Sequence, residues 1–366
     1  MAIVPKIAMG NDLFVRIKTF FILTLSQQII SRMGSDGLLF LSDCGMAGNF
    51  CNFVVFTLPF HDHINFTLTR ICYGMISDMI FKVALAQLNT HLSDLQRNLQ
   101  KHLTFIEQAK AQQAELIVFP ELSLTGYMLQ DLTASVALSP CREEPVFGAL
   151  LEASRAIDIT VSFVEEDSRH RFFIAAAYLS QGEVLHVHHK LYLPTYGLFD
   201  EGRFFAWGDT LSAFDTRFGR MGMLICEDFW HASPPYLLWL DGADIFLFMS
   251  ASPGRGLSSA PKLESARWVE QLVQAYANLF TAFVIHANRV GYEDGLHFWG
   301  GSTVFDPDGV LLAKAPYTEE GLTFAELDLH QLHRTRARLP LLRDERTALV
   351  QRELDRILKR ASQANR

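Results

Sequence analysis

Three short segments of this 366-residue chain end in side chains that could carry nucleophilic chemistry. In one of them, the apolar run 222–225 stops at Cys226, and the carboxylates Glu227 and Asp228 follow directly. A thiol becomes an effective nucleophile when its thiolate is favoured or when a neighbouring base removes its proton. Taken by itself, Cys226 also fits a structural cysteine, because this residue often packs in a core as a small hydrophobe.

The other two segments supply a carboxylate and an ammonium group. Glu121 closely follows the apolar run 116–119, where partial burial at a sheet edge would raise its pKa toward that of a general base. A simple helix-capping role would also explain it. Lys190 follows a strand-like run that places His186, His188 and Lys190 on one face. Two histidines at this spacing could bind a metal, but no suitable third ligand follows, so no metal site is predicted.

The spacing of apolar residues predicts the elements that would position these groups. Helical periodicity indicates helices over about 94–113 and 262–279. Strands that alternate with helices indicate an α/β fold. The strands are expected over residues 81–88, 116–119, 159–164, 172–179, 183–189, 221–226, 244–249 and 281–287.

Composition divides the chain into three parts. Residues 1–78 hold three of the five cysteines and no glutamate, and they show no sustained helical or strand period. Residues 79–330 carry 17 Lys and Arg against 31 Asp and Glu, whereas residues 331–366 carry 10 against four. We therefore expect an atypical N-terminal extension over 1–78, a main domain over 79–330 and a basic C-terminal helical tail over 331–366. The extension could be non-native or dispensable, a packing segment, or a weak targeting element.

The whole-chain composition excludes several classes of protein. A formal net charge of −8 argues against nucleic acid or an anionic membrane as the main partner. No run approaches the ~18 consecutive apolar residues of a membrane span. The five cysteines are irregularly spaced, which fits neither a disulfide scaffold nor a structural zinc site. Nucleotide-binding motifs are missing as well, so no cofactor is predicted, and a cytoplasmic globular protein is expected.

Together, the three segments resemble the nitrilase superfamily of carbon–nitrogen hydrolases, whose catalytic set is glutamate, lysine and cysteine in that order. Glu121, Lys190 and Cys226 follow this order, and the resemblance covers residues 79–330. In particular, the chain resembles the glutaminase domain of glutamine-dependent NAD synthetases. The stretches that carry this second resemblance are 126–132, 193–201 and 226–230. The resemblance implies a four-layer α-β-β-α sandwich and a homodimer or higher homo-oligomer.

The resemblance also implies a reaction. A thiol amidohydrolase would cleave a small carboxamide, with a glutamine-like ω-amide favoured, through a Cys226 thioester and release ammonia. Glu121 would be the general base and Lys190 would stabilise the oxyanion. Glu201 matches a second glutamate of the family, although Gly202 stands where a basic residue is usual. A solvated loop carboxylate is the alternative interpretation of Glu201.

Substrate-binding residues are expected on loops near the catalytic set. These are Tyr127, Tyr196, Glu227 and Ser252. Arg255 could pair with a substrate carboxylate, but a surface arginine is an equal possibility. Trp230 is assigned to the core in preference to the pocket wall.

Two alternative functions stay open at this point. The chain could hydrolyse an N-carbamoyl amine or acid, or it could be a non-catalytic binding protein on the same scaffold. No ATP-pyrophosphatase module is recognisable after residue 330. An ammonia-accepting synthetase acting in trans is therefore expected as a further partner, beside the small-molecule amide.

Overall fold

The computed structural model describes residues 39–43, 52–57, 65–67, 80–254 and 263–364. The chain divides into two compact units, Met1–Asp78 and Met79–Arg366. In the first unit, three antiparallel strands pair in the order β1-β2-β3. They are β1 (Leu39–Asp43), β2 (Asn52–Thr57) and β3 (Asn65–Thr67). The interpretation of residues 1–78 as an extension, and of 331–366 as a separate tail, stays a prediction.

Two six-stranded sheets dominate the second unit. The first has the order β17-β4-β5-β6-β7-β8, with β4, β5 and β6 parallel to one another and antiparallel pairing elsewhere. Its strands are β4 (Ile80–Gln87), β5 (Leu116–Val118), β6 (Asp158–Glu166), β7 (Phe172–Ser180), β8 (Glu183–His189) and β17 (Gly321–Asp328).

The second sheet has the order β16-β15-β12-β11-β10-β9, with parallel pairing among β10, β11 and β12. Its strands are β9 (Phe214–Thr216), β10 (Gly219–Ile225), β11 (Ile245–Ser250), β12 (Phe283–Asn288), β15 (Thr303–Phe305) and β16 (Leu311–Lys314). A separate hairpin pairs β13 (Val290–Glu293) with β14 (Leu296–Trp299).

The outer faces of the two sheets are covered by α1 (Leu95–Ala111), α2 (Pro145–Ala153), α3 (Ser233–Leu240) and α4 (Glu264–Phe280). The C-terminal helices α5 (His330–Arg338), α6 (Leu341–Asp344) and α7 (Thr347–Ala364) follow β17. Short 3₁₀ turns occupy Gln130–Ser135, Glu201–Arg203 and Cys226–Trp230. Within the parts of the chain described above, no helix is long and apolar enough to cross a membrane.

Strand alternation creates the layers. In β4, Val83 and Leu85 join a central core that also contains Ile225 of β10 and Leu247 of β11. Ala84 on the opposite face of β4 packs instead with residues of α1 and α2. A third cluster joins β10 and β11 to α3 and α4. The order is helix, sheet, sheet, helix, so the predicted four-layer α-β-β-α sandwich is confirmed.

The helical tail expected over 331–366 is not one continuous helix. The helix is interrupted at Glu345, whose backbone is extended. The Glu345 carboxylate accepts the N–H of Arg346 at 2.9 Å. A side chain that satisfies a nearby backbone amide competes with the helical hydrogen bond, which explains the break between α6 and α7.

Candidate active site

The carboxyl ends of three strands bring the predicted catalytic groups together. Lys190, one residue beyond β8, donates from Nζ to Glu121 Oε1 at 2.7 Å. It also donates to Glu201 at 2.8 Å. The side chains of Lys190 and Glu121 are fully buried, and that of Glu201 is 6% exposed. Two carboxylates therefore share one buried ammonium group.

The loop that carries Glu121 is fixed from several directions. Glu121 Oε2 accepts the N–H of Ala251, the first residue after β11, at 2.8 Å. The next residue, Leu122, has a positive φ of 48° and donates its N–H to Ser162 Oγ at 2.9 Å. These bonds link the Glu121 carboxylate to the second sheet and its backbone to β6.

Cys226 lies on a sharp turn between a strand and a helix. β10 ends at Ile225, and Cys226 begins the 3₁₀ turn with a φ of +46°. A left-handed conformation costs a residue with a side chain roughly 1–2 kcal/mol, so the surrounding structure must hold it. Such an elbow presents a nucleophile at the end of a sheet while its own backbone stays within the fold.

The carboxylate of Asp228 holds this elbow against the end of β8. Its Oδ2 accepts Ile225 N–H at 3.0 Å and His188 Nε2 at 2.9 Å. Its Oδ1 accepts the N–H groups of Leu191 at 2.8 Å and Tyr192 at 3.0 Å. Asp228 is fully buried. This single carboxylate therefore fixes the spacing between the chain after Lys190 and the chain before Cys226.

Burial and charge set the protonation states of the site. Burial alone would lower the pKa of Lys190, but the carboxylates of Glu121 and Glu201 outweigh it and hold that pKa well above its ordinary value. Burial raises the pKa of the Cys226 thiol well above its ordinary value, and the Glu121 carboxylate adds to the rise. The resting site thus combines a charged lysine with a neutral thiol that needs a base.

Glu201 differs from an ordinary carboxylate. Burial raises its pKa to about 7, although the Lys190 ammonium opposes the rise. Its Oε1 accepts the Tyr127 hydroxyl at 2.5 Å. Glu201 is therefore a buried member of the charged cluster, and its alternative interpretation as a solvated loop carboxylate is wrong.

The four residues predicted to bind substrate occupy different positions around this cluster. Tyr127 is buried, with its hydroxyl on Glu201. Tyr196 is half exposed and donates its hydroxyl to Glu227 at 3.0 Å. Ser252 is buried, and its N–H bonds Asn288 Oδ1 at 2.9 Å. Their role in substrate binding stays a prediction.

A cavity of about 420 Å³ opens beside Tyr127 and Glu201. Most of its remaining wall comes from residues 128–131 and 198–205. The space is ample for a small amide. It adjoins the Glu201 side of the charged cluster.

The histidines before Lys190 serve as neighbours of the site. His186 stacks on Phe214 with ring centroids 4.3 Å apart, and His188 bonds Asp228. Among the residues that the structure covers, no group of three or more His, Cys, Asp or Glu side chains could hold a metal ion.

Two further expectations have different outcomes. The prediction that Trp230 lies in the core is wrong, because the residue is 38% exposed at the end of the 3₁₀ turn, where it approaches Trp268 of α4. Arg255 lies outside the described residues. Sequence reasoning also missed the bracing role of Asp228, for which the only signal was a carboxylate three residues after the strand end, a spacing typical of caps.

Comparisons with known proteins give one family match and several similar relatives. The family described as Carbon-nitrogen hydrolase matches residues 82–337. The chain is 31% identical over 251 residues to the glutamine-dependent NAD(+) synthetase of Acinetobacter baylyi, which covers 69% of this chain and 45% of that protein. It is 33% identical over 256 residues to the Thermotoga maritima protein of the same name, over 68% of this chain and 42% of the relative.

Solved structures give the same result. The glutamine-dependent NAD+ synthetase from Acinetobacter baumannii, in complex with ADP, matches with a TM-score of 0.62 and 32% identity, over 69% of this chain and 46% of that one. An amidase from Nesterenkonia sp. matches with a TM-score of 0.62 and 26% identity, over 74% and 95%. The chain thus spans less than half the length of the synthetases it matches.

Proposed function

Because the chain belongs to the carbon–nitrogen hydrolase family, we propose that it is a thiol amidohydrolase that cleaves a glutamine-like ω-amide and releases ammonia. The observation that carries this proposal is the fully buried Lys190, which is bonded to Glu121 and Glu201. A buried charged triad of this kind costs desolvation energy, which a catalytic role would explain.

In the proposed acylation step, Cys226 Sγ attacks the amide carbon while Glu121 accepts the thiol proton. The neutral resting thiol makes such a base necessary. The ammonium of Lys190 stabilises the negative charge that develops on the carbonyl oxygen, together with the backbone N–H of Glu227. The C–N bond then breaks, Glu121 delivers the proton to the departing nitrogen, and ammonia leaves a Cys226 thioester.

Deacylation uses the same groups in the same order of proton transfers. Water attacks the thioester carbon while Glu121 takes one of its protons. The C–S bond breaks, the proton returns to Cys226, and a carboxylic acid is released. Glu201 shares the Lys190 ammonium throughout and keeps it at the reacting centre.

The preference for a glutamine-like substrate rests on the relatives and on the carboxylate next to the nucleophile. Glu227 lies directly after Cys226, its side chain is 12% exposed, and it is bonded to the Tyr196 hydroxyl. A partly buried carboxylate beside an aromatic ring suits an ammonium group, such as the α-amino group of glutamine. An N-carbamoyl compound with no amine would leave this pair unused.

The proposal also covers the partner that uses the ammonia, the cellular compartment and the oligomeric state. The matched relatives are named as synthetases and extend well beyond the shared segment. We therefore propose that a synthetase uses the ammonia. We also propose, from the family resemblance, that the chain works in the cytoplasm as a homodimer or higher homo-oligomer.

Ammonia release from a panel of compounds tests the proposal. The panel contains glutamine, asparagine, short ω-amides, and N-carbamoyl amino acids and polyamines. Wild type is compared with Cys226→Ala and, as a matched control, Cys141→Ala, which removes the other free cysteine of the described residues. We expect glutamine-like amides to release ammonia, Cys226→Ala to abolish the release, and Cys141→Ala to retain it.

Three results would contradict the proposal. Release that persists in Cys226→Ala would exclude the thiol mechanism. Release from N-carbamoyl compounds alone would replace the glutamine-like substrate with the alternative class, and no release from any compound would favour a binding protein.

Chains that begin at Met1 and at Met79 should show equal rates if residues 1–78 are dispensable.

A further inference from the structure

A second buried network ends on the tyrosine that contacts Glu201. One carboxylate oxygen of Glu293 accepts the backbone N–H groups of Tyr127 and Met128, at 2.8 and 2.7 Å. The other oxygen accepts Arg289 Nη1 at 3.0 Å. Arg289 and Glu293 are 0% and 4% exposed. This ion pair therefore holds the main chain of the segment that carries Tyr127.

The β13–β14 hairpin fixes the ring of Tyr127 as well. Arg289 precedes β13, Glu293 ends it, and Phe298 lies in β14. The Arg289 guanidinium lies 4.2 Å from the centre of the Phe298 ring. The Tyr127 ring packs edge-on against the same ring at 5.9 Å. One hairpin thus sets both the backbone and the side chain of Tyr127.

The residue before Tyr127 shows how close this approach is. Gly126 has a positive φ of 83°, and a Cβ at this position would lie 2.9 Å from Glu293 Oε2 and 2.8 Å from the Cα of Leu92. A side chain at residue 126 would push the Glu293 carboxylate away from the amides it binds. The close approach of the Glu293 carboxylate therefore requires glycine at residue 126.

We propose that Glu293, held by Arg289, is a positioning residue for hydrolysis at Cys226, because it keeps the Tyr127 hydroxyl on Glu201. The inference rests on the proposed function. The hydroxyl donates to Glu201, which also accepts from Lys190.

The position of the Tyr127 hydroxyl affects the protonation of Glu201. The other charged and titratable groups around Glu201 are Lys190, Glu121 and Cys226. Burying an ion pair such as Arg289–Glu293 seldom adds net stability, so holding a catalytic geometry gives the pair a function. A hydroxyl that donates to Glu201 favours its ionised form, which is the form that accepts from the Lys190 ammonium.

Glu293→Gln is the first test. The amide keeps an oxygen for the two N–H groups but turns an NH₂ group toward Arg289, which disrupts the pair. We expect kcat to fall about 10- to 100-fold, since small misplacements of a catalytic group have costs of this size. The acid limb of the pH–rate profile should move up by about 0.5 to 1 pH unit, because a weakened hydrogen bond stabilises the Glu201 carboxylate less.

Tyr127→Phe provides a second test that removes a single hydroxyl from the same network. It should shift the acid limb in the same direction. If Glu293 acts through Tyr127, the double variant should resemble Tyr127→Phe alone. If the fold-losses in kcat of the two single variants multiply in the double variant, the two residues act independently and the proposal is overturned.

Asp306→Asn is the matched control. One oxygen of Asp306 accepts the N–H groups of Asp308 and Val310, both at 2.9 Å, and the other accepts Gln331 Nε2 at 2.6 Å. The same chemical change is thus made in a buried turn outside the site. The pH–rate profile of this variant should match wild type.

The rate at which iodoacetamide alkylates Cys226, followed by mass spectrometry across pH, separates this proposal from the proposed function because it needs no substrate. If no amide is hydrolysed, the proposed function fails, and the alkylation profile still decides about Glu293. A shift of the alkylation profile away from wild type in Glu293→Gln and not in Asp306→Asn supports positioning. Identical profiles in the two variants overturn it.

Discussion

At the scale of single residues, the site depends on how one ammonium group is shared. Lys190 donates to two carboxylates, and burial keeps all three side chains away from water. The nearby carboxylates raise the pKa values of both Lys190 and Cys226, and a raised pKa keeps the lysine charged but the thiol neutral. The proposed chemistry therefore requires Glu121 to accept the thiol proton at the moment of attack.

Glu227 should control the choice of substrate. Glu227→Gln keeps an acceptor for the Tyr196 hydroxyl but removes the negative charge beside Cys226. We expect KM for glutamine to rise about 10- to 100-fold, since a charge-assisted hydrogen bond contributes about 1.5–3 kcal/mol. KM for glutaramic acid, which is glutamine without its amino group, should stay unchanged. An equal rise for both amides in steady-state assays would contradict the assignment.

At the scale of elements, Asp228 joins two strands that are adjacent in neither sequence nor sheet. It binds the chain on both sides of the site, next to Cys226 and next to Lys190. Cys226 has a left-handed backbone conformation, which costs conformational energy. The hydrogen bonds that Asp228 accepts from His188 and from neighbouring backbone amides offset this cost.

Asp228→Asn tests this connection. The substitution replaces one acceptor oxygen of Asp228 with an NH₂ donor. Whichever oxygen is replaced, the new NH₂ group faces N–H donors that the oxygen accepted in wild type. We expect kcat to fall roughly 100-fold with a small change in KM, because the distance between Lys190 and Cys226 is no longer fixed. Asp158→Asn is the control, since Asp158 is a buried carboxylate that accepts Tyr178 and Ser180 hydroxyls elsewhere in the sheet. Similar losses in both variants would mean a general folding defect.

The elements themselves could be predicted from the sequence far better than their contacts. Glu121, Lys190 and Cys226 each follow an apolar run, so their positions at strand ends followed from periodicity. The donors to Asp228 include Leu191 and His188, which lie 37 and 40 residues away in the chain, and no local pattern indicates such pairs. The prediction that Trp230 lies in the core failed because the 3₁₀ turn after Cys226 directs this residue outward, and no local pattern indicates that turn.

At the scale of the whole molecule, the packed interior contains histidines that remain neutral. Burial lowers the pKa values of His102 and His286 to about 4. His102 nevertheless bonds the Asn98 carbonyl and Ser123 Oγ, next to the loop of Glu121. Acid would therefore act on the fold around the site as well as on the catalytic groups.

The sign of the resulting pH dependence follows from proton binding. The unfolded chain protonates His102 near pH 6.5, whereas the folded chain does so only near pH 4. Stability should therefore fall as pH drops from about 6.5 toward 4, by about 2 kcal/mol per such histidine at pH 5.

His102→Gln should reduce the loss of stability between pH 8 and pH 5 by about 2 kcal/mol. His170→Gln is the control, since that side chain is 86% exposed. Urea unfolding followed by tryptophan fluorescence makes the measurement, because all five tryptophans lie within Met79–Arg366. An unchanged loss in His102→Gln would show that another group causes the acid sensitivity.

The burial of Lys190 between two carboxylates has a consequence for ionic strength. Mobile ions screen charges that they can approach, and the Debye length shrinks to about 3 Å at 1 M salt. They cannot approach a side chain that is 0% exposed. Added salt should therefore weaken the attraction between the partly exposed Glu227 and a substrate ammonium group, and so lower kcat/KM, while kcat at saturating substrate stays nearly constant.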